Sequence, residues 1–546
     1  MKNILRLSAV VFALSLGSLQ AQTDSPSPPP DRAEVMEADV SPSPALAPAP
    51  AATARNLDEI IDGLVKTPAD WAEKIVFFPA GWQPLAKYPA LSTPWVIYLL
   101  VGSGVLFTLL LGFINIRGFP VALRTVRGKY SKPSDPGEIS HFQALTAAVS
   151  GTVGLGNIAG VAIAVSIGGP GATFWMIVCG IIGMTTKFCE VTLGVRYRDV
   201  TPEGKVYGGS MYTLRKGFAE RGLPTWGKVL AVIFAFSCFG GSLGAGCMFQ
   251  VNQTFQQLVT ITGGPAASFW VGKGWLFGVI IAVLAGAVII GGIKSIARVT
   301  DKLVPFMCIF YVGTCLFVIL AHIADLPAAF GTILSGAFSN EAIYGGFFGV
   351  LIAGVRRAAF SNEAGFGSAP IAHSAVRTRR PASEGYVALL EPFVDTVIIC
   401  TMTALVLVVT QKYVPADQAS TAMGIAVTSQ AFASVISWFP YMLFVGVFLF
   451  AFSTLITWSY YGQQAWAYIF GRKTGVDIIY KLIFCLCVVI GSAATLSNIL
   501  RLSDALIFTM CFPNFIALYV LFPKIKEEIV RYRTFREAID RGEDPV

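Results

Sequence analysis

Glycines and small polar residues cluster in the middle of one long apolar segment, HFQALTAAVSGTVGLGNIAGVAIAVSIG at 141–168. Glycine lets the backbone leave the helical conformation at little cost, so freed carbonyl and amide groups can bind a ligand. Carbonyls and helix C-terminal ends suit sodium or an ammonium group, whereas a helix N-terminus suits a carboxylate. The cluster therefore predicts a site for a zwitterionic substrate, with Thr152, Gly154, Gly156 and Asn157 as candidate ligands or as residues that stabilise a helix break.

A second cluster of this kind lies at 361–368, within GGFFGVLIAGVRRAAFSNEAGFGSAP. Its candidate substrate-binding residues are Asn362, Gly365 and Gly367. Small-residue packing between membrane helices is the alternative explanation for either cluster. Two clusters favour the binding site if they occupy equivalent places in a repeat.

Charged residues inside these apolar segments mark either a pathway or an ion pair. Arg356, Arg357 and Glu363 precede or begin the second cluster, and a helix could align Arg356 with Glu363. This arrangement leaves open an ion pair that braces the helix or a direct substrate contact.

Two further pairs of charged residues lie in other apolar segments. Glu391 and Asp395 are one helical turn apart and could form a proton or cation relay, but we favour pairing with the arginines at 377–380. Lys187 and Glu190 are expected to extend toward the membrane surface. The three histidines are scattered along the chain, so the sequence supports neither a metal site nor histidine catalysis.

The composition excludes several classes of protein. The 546 residues are 54% hydrophobic and 13% charged, with a mean hydropathy of +0.65, so the lipid bilayer must be the solvent. The net charge of +8 comes from basic residues between apolar blocks, which gives no nucleic-acid groove. No nucleophile–base set or phosphate loop indicates an enzyme. No organic cofactor or obligate protein partner is indicated.

The elements that position the two clusters are long apolar helices. Runs of about 18 or more apolar residues predict an all-α membrane protein with eleven transmembrane helices, near 94–116, 141–167, 172–195, 229–250, 275–292, 304–323, 345–373, 386–410, 437–460, 478–498 and 503–523. Before them we expect a signal peptide at 1–21, a disordered Pro/Ala-rich tail at 22–56 and an interfacial segment at 57–93. An ordinary soluble segment is the alternative for 57–93.

The distribution of basic residues orients the predicted helices. Alternate loops and the C-terminus hold 27 Lys and Arg, whereas the five opposite loops hold only Lys273, Lys412 and Arg501. Basic loops face the cytoplasm. We therefore expect a bacterial inner-membrane protein with a periplasmic N-terminus after signal cleavage, a transporter domain at 94–523 and a basic cytoplasmic tail at 524–546.

Ten of the eleven predicted helices divide into two halves of five, at 141–323 and 345–523. An odd number of helices per half gives the halves opposite orientations, which is an inverted repeat. Transporters of this architecture bind substrate where the first helix of each half is interrupted near the bilayer midplane. Both glycine clusters lie in such a first helix. An ion channel is the rival class, but a channel commonly builds its pore from symmetric subunits.

Five motifs in order resemble the alanine or glycine:cation symporter family, the sodium:alanine symporters. They are GTVGLGNIAGVAIA at 151–164, GGPGATFWM at 168–176, FSNEAGFGSAPIAHSAVRT at 360–378, EPFVDT at 391–396 and FSTLITWSYYG at 452–462. The resemblance covers about 94–520. The chain departs from the family pattern at Ile177, Ala358, Gln463 and Gln464, which affects fine specificity more than fold.

The resemblance implies sodium-coupled uptake of alanine or glycine and a leucine-transporter-type fold, a 5+5 inverted repeat with one extra N-terminal helix. It implies that Gln250 faces the substrate; a loop-edge amide is the alternative. It also implies a sodium site formed by the Ser453 and Thr454 hydroxyls with carbonyls from Ala148 to Gly151. These hydroxyls could instead bond to their own helix. A proton-coupled transporter and a transporter-like nutrient sensor remain alternative functions.

Overall fold

The computed structural model describes residues 57–78, 93–132, 134–339, 346–413 and 424–543. Its described residues are almost entirely helical, with one two-stranded antiparallel sheet, β1 (Asp199–Val200) and β2 (Val206–Tyr207). The predicted signal peptide and Pro/Ala-rich tail lie outside the described residues.

The helices before the second glycine cluster include both parts of the helix that is broken at the first cluster. In chain order they are α1 (Leu57–Val76), α2 (Trp95–Leu110), α3 (Ile114–Arg117), α4 (Phe119–Val126), α5 (His141–Thr152), α6 (Ala159–Gly168), α7 (Ala172–Arg196), α8 (Ser210–Glu220), α9 (Pro224–Ile261), α10 (Gly264–Ala267), α11 (Gly274–Ile289), α12 (Gly292–Ala321) and α13 (Leu326–Ala337). Short 3₁₀ turns lie at Leu155–Asn157 and Ile323–Asp325.

The second half begins with the helix that leads into the second cluster. Its helices are α14 (Gly346–Asn362), α15 (Ala369–His373), α16 (Pro381–Val409), α17 (Gly424–Ala433), α18 (Phe439–Phe470), α19 (Thr474–Ala493), α20 (Leu496–Val520) and α21 (Phe522–Asp540). Both α9 and α16 contain π-helical turns, at Gly244–Met248 and Phe393–Cys400. Such turns are frequent at functional sites.

Seven of the described helices are long and apolar enough to cross a membrane, and the bent pair of α5 with the segment from Leu155 to Gly168 makes eight. The described residues therefore form a predominantly helical, multi-pass membrane protein. The predicted count of eleven spans and the inverted repeat are not confirmed. Three predicted spans contain helices of only 16 or 17 residues, namely α2, α11 and α14. Hydropathy cannot detect that α2 ends early, where Gly112 and Phe113 adopt positive φ.

The structure interrupts a helix at both glycine clusters. At the first, α5 ends at Thr152, the chain turns through Leu155–Asn157, and the two helical parts differ in direction by 57°. At the second, α14 ends at Asn362 and α15 begins at Ala369. Between them Glu363, Gly365 and Gly367 have φ of 57°, 99° and 73°. A glutamate in this left-handed region is uncommon and is found where surrounding contacts enforce it.

The N-terminal helix α1 packs on α20, a helix of the second half. Asp62 Oδ1 accepts a hydrogen bond from the backbone N–H of Thr495 at 2.8 Å, and Arg501 forms an ion pair with Asp70. The ring of Phe77, just after α1, lies 5.3 Å from that of Phe508. These contacts attach the 57–78 segment to the helical domain, and its predicted position in the membrane interface stays a prediction.

Candidate functional site

A small cavity lies between the two helix breaks. Its walls are formed by α5, the first break, α9, α14, α18 and α20, through Gly151, Thr152, Gly156, Ala245, Gln250, Phe360, Glu363, Trp458 and Ile507. The space open to the centre of a water-sized sphere is about 10 Å³, which is room for about one water molecule. Glu363 is the one formally charged residue in this wall.

Gln250 connects α9 to the first break. Its Oε1 accepts a hydrogen bond from the backbone N–H of Leu155 at 2.9 Å, and its Nε2 donates to the carbonyl of Ala245 at 2.9 Å. The second bond joins the side chain to the π-helical turn of the same helix. Gln250 is buried in the middle of α9, so the alternative of a loop-edge amide is wrong.

Glu363 connects the second break to α18. Its Oε1 accepts a hydrogen bond from Trp458 Nε1 at 2.9 Å, and its Oε2 accepts one from the Ser368 hydroxyl. A buried carboxylate needs such donors because burial without them is costly. The bonds hold the carboxylate at the cavity wall. Arg356, which could have aligned with Glu363, does not contact it.

Asp395 contacts both breaks from α16. Asn157 Nδ2 donates to Asp395 Oδ1 at 2.6 Å, the Ser361 hydroxyl donates to Oδ2 at 2.9 Å, and the Thr396 hydroxyl donates to Oδ2 at 2.7 Å. Asn157 Oδ1 also accepts from the backbone N–H of Gly154 at 2.9 Å. Asn157 therefore joins the first break to Asp395 and is not among the residues that line the cavity.

Glu190 on α7 holds the loop of the second break. Its Oε1 accepts hydrogen bonds from the backbone N–H groups of Gly365 and Gly367 at 2.9 and 3.1 Å, and from Asn514 Nδ2 at 2.6 Å. Asn362, at the end of α14, donates to the Thr396 hydroxyl at 3.0 Å. Three residues predicted to bind substrate, Asn362, Gly365 and Gly367, are thus not among the residues that line the cavity. They form hydrogen bonds behind the cavity wall.

We expect Glu190→Ala to lower the thermal unfolding midpoint of the protein in detergent. The change leaves two buried backbone N–H groups without an acceptor, each costing about 1–3 kcal/mol. Glu190→Gln keeps one acceptor oxygen and should be clearly milder. Differential scanning fluorimetry of both variants measures the difference, and equal midpoints for wild type and Glu190→Ala would contradict this role.

The proposed sodium ligands lie where α18 contacts the end of α5. The Thr454 hydroxyl donates to the carbonyls of Ser150 at 3.0 Å and Val153 at 3.4 Å. The Ser453 hydroxyl donates to its own helix, at the carbonyl of Phe450, at 2.9 Å. Thr454 is thus placed at the C-terminal end of α5, whereas Ser453 has the self-bonded geometry that was the alternative.

The other predicted ion-site residues also belong to α5. The carbonyl of Ala148 accepts a hydrogen bond from the Thr152 hydroxyl at 3.4 Å. Gly151 faces α18, since a Cβ there would lie 3.1 Å from Tyr461 Oη and 3.2 Å from Thr457 Cγ2. At Gly154 a Cβ would lie 2.5 Å from Thr454 Oγ1, so a side chain would displace the proposed ion-site hydroxyl.

The two arginines of α14 both form ion pairs with Asp504 on α20. Arg356 Nη2 lies 2.8 Å from Asp504 Oδ2 on α20, and Arg357 contacts the same oxygen. Arg356 also lies over the Phe77 ring at 4.1 Å. The arrangement braces α14 against α20 and not against Glu363.

Two expectations about charged residues are wrong. Lys187 is buried and its Nζ lies 3.0 Å from Glu391 Oε1. Lys187 therefore does not extend to the membrane surface, and Glu391 pairs with Lys187 instead of the arginines at 377–380. Glu190 is buried as well. Of those arginines, Arg379 lies 3.3 Å from Asp135, and Arg377 donates to the carbonyl of Glu138 at 3.1 Å. Long-range helix packing decides these partners.

Sequence reasoning singled out Glu363 but missed several other cavity residues. Trp458 lies in the motif FSTLITWSYYG, and a buried indole N–H needs a partner, so its pairing with Glu363 had a detectable signal. Phe360, Ala245 and Ile507 had none, because apolar residues in apolar helices look alike.

Secondary transporters built from inverted repeats bind substrate at interrupted membrane helices, and here a small cavity with polar groups lies between two helix breaks. The sodium:alanine symporter family matches residues 85–545. The chain belongs to this family, which is a family of transporters.

Two similar proteins carry the names of amino-acid transporters. The sodium/alanine symporter AgcS of Methanococcus maripaludis is 39% identical over 81% of this chain and 95% of its own length. The amino-acid carrier protein AlsT of Bacillus subtilis is 33% identical over 83% of this chain and 91% of its own length. Among solved structures, MhsT in complex with L-phenylalanine covers 71% of this chain and 99% of its own, with 17% identity and a TM-score of 0.49.

Proposed function

We propose that the protein is a sodium-coupled symporter of the bacterial plasma membrane that imports alanine or glycine by alternating access. The observation that carries the proposal is the small cavity between the two breaks, together with the Thr454 hydroxyl of α18, which donates to carbonyls at the end of α5. AgcS is named for sodium and alanine, which supports the same ion and substrate here.

The cavity wall offers a partner for each end of a zwitterion. The Glu363 carboxylate suits the ammonium group, together with carbonyls at the end of α5. The amide end of the first break, where Gln250 binds the N–H of Leu155, suits the carboxylate. A carboxylate at one end and backbone amide groups at the other fix the orientation of the substrate.

The size of the cavity selects for a short side chain. Phe360, Trp458 and Ile507 close the wall around a space of about 10 Å³, so the walls must separate even for alanine. Each further methylene requires a larger separation of close-packed groups, which costs about 1–3 kcal/mol. We therefore propose that branched and aromatic amino acids are rejected.

Competition against uptake of labelled alanine into proteoliposomes tests this selectivity. Unlabelled alanine and glycine should inhibit strongly, and leucine and phenylalanine should inhibit at least about tenfold more weakly, equivalent to about 1.4 kcal/mol. Inhibition by leucine as strong as by alanine would refute the small-substrate assignment.

A further inference from the structure

Five buried ionisable side chains outside the cavity form a continuous chain. His141 Nδ1 contacts Glu384 Oε2, and Glu384 Oε1 lies 2.6 Å from His373 Nδ1. His373 Nε2 lies 3.5 Å from Glu391 Oε2, and Glu391 Oε1 lies 3.0 Å from Lys187 Nζ. All five are buried. The transport site described above uses none of them.

The geometry around His373 favours an additional proton. A neutral imidazole has one N–H and one bare nitrogen, yet a carboxylate oxygen faces each nitrogen of His373. His373 Nε2 and Glu391 Oε2 lie 3.5 Å apart, and each is buried without a hydrogen-bond partner among the described residues. A proton on the imidazole or on Glu391 would give these two atoms a hydrogen bond to each other. In both cases the group binds one proton more than a neutral histidine between two carboxylates would.

This chain of five side chains lies on the side of the membrane where the basic loops are. His141 begins α5, His373 ends α15, and the arginines at 377–380 follow directly. On the predicted orientation this side faces the cytoplasm. Other charged or titratable groups that interact electrostatically with the chain are Arg198 at Glu384, Glu190 and Glu363 at Lys187, and Asp395 and Tyr461 at Glu391.

The chain also reaches the two helix breaks. Glu391 is one helical turn from Asp395 on α16, and Asp395 accepts hydrogen bonds from Asn157 of the first break and Ser361 of the second. A change of charge at Glu391 therefore acts on the carboxylate that joins both breaks.

We propose that His373 and Glu391, extended by Glu384 and His141 toward the cytoplasmic side, form a proton-binding site of this carrier, and that its occupancy controls the transport rate. The step is a proton transfer alone: a proton from cytoplasmic water passes along the chain to the shared position between His373 Nε2 and Glu391 Oε2, and it leaves by the same route. The control of transport rests on the proposed function, whereas the proton site does not.

The first test reads the proton directly. The whole protein has three histidines, so ¹⁵N-histidine NMR of the protein in nanodiscs resolves them. The variants His373→Gln and His322→Gln assign the signals. In wild type at pH 7 we expect His373 to give an imidazolium-like signal or a strongly shared proton, and Glu391→Gln to change that signal but not that of His322. A His373 that is a neutral imidazole at both pH 6 and pH 8, with the same signal in wild type and in Glu391→Gln, would overturn the proposal.

The second test measures alanine counterflow in proteoliposomes with equal pH on both sides. The counterflow rate of wild type and of His322→Gln should change at least about fivefold between pH 6 and pH 9. The rate of His373→Gln or Glu391→Gln should change less than about twofold. His322 is the matched control because its Nδ1 faces only a backbone carbonyl, that of Val318 at 3.1 Å. A wild-type rate independent of pH, or variants with the wild-type profile, would contradict rate control. Absence of alanine counterflow at every pH would refute the proposed function instead, and the NMR signal still decides the proton site.

Discussion

Gly156→Leu is expected to abolish uptake while the protein still inserts into the membrane. Gly156 lines the cavity, and a Cβ there would lie 3.3 Å from the Cα of Ser361 and 3.4 Å from the Phe360 ring. The rest of a leucine side chain must then occupy the cavity or push the two breaks apart. Overpacking of this kind costs about 1–3 kcal/mol, in addition to the loss of the substrate space. Labelled-alanine uptake, normalised to the amount of inserted protein, measures the effect.

Gly313→Leu is the matched control. Gly313 lies on α12 with open space around its Cβ position, so the same substitution there should leave uptake near the wild-type rate. If Gly156→Leu transports as well as Gly313→Leu, the glycines at the first break serve helix packing, and the substrate site lies elsewhere.

Replacing Ser453 and Thr454 together by alanine should raise the sodium concentration for half-maximal uptake at least about tenfold, equivalent to about 1.4 kcal/mol. The two single variants separate the contributions of the two hydroxyls to this effect. Thr454→Ala should account for most of it, because that hydroxyl already reaches the carbonyls of Ser150 and Val153. Ser453→Ala should have the smaller effect, because its hydroxyl bonds to Phe450 of its own helix.

Thr314→Ala provides the control for removing a membrane hydroxyl. The Thr314 hydroxyl donates to the carbonyl of Phe310 in its own helix at 2.8 Å, far along the chain from the proposed ion site. Its sodium dependence should match that of wild type. An unchanged half-saturating sodium concentration in the double variant, with only the maximal rate reduced, would refute the assigned ion site.

The positions of the helix breaks were predictable because glycine acts on the local backbone. The clusters at 151–160 and 361–368 interrupt helices in the structure as expected. The side-chain partners were not predictable, because they are distant in sequence: Asn157 and Asp395 are 238 residues apart, and Lys187 and Glu391 are 204 apart. Charge alone suggested nearby arginines for Glu391, whereas helix packing places Lys187 beside it.

Helix lengths show the same limit of local reasoning. A hydropathy window averages over residues and detects an apolar run, but it does not detect the backbone turn that ends a helix. The window at 94–116 continues past Gly112 and Phe113, where the backbone turns left-handed and α2 has already ended. The number of spans depends on such ends, whereas the membrane class depends only on total hydrophobicity and was predictable.

The most direct test of sodium-coupled uptake is accumulation of labelled alanine in proteoliposomes under an imposed sodium gradient. With sodium outside and potassium inside, the internal alanine concentration should rise transiently above the external one, and replacing external sodium by potassium or by an inward proton gradient should remove the accumulation. Equal accumulation without sodium, or equilibration that never exceeds the external concentration, would contradict the proposed symport.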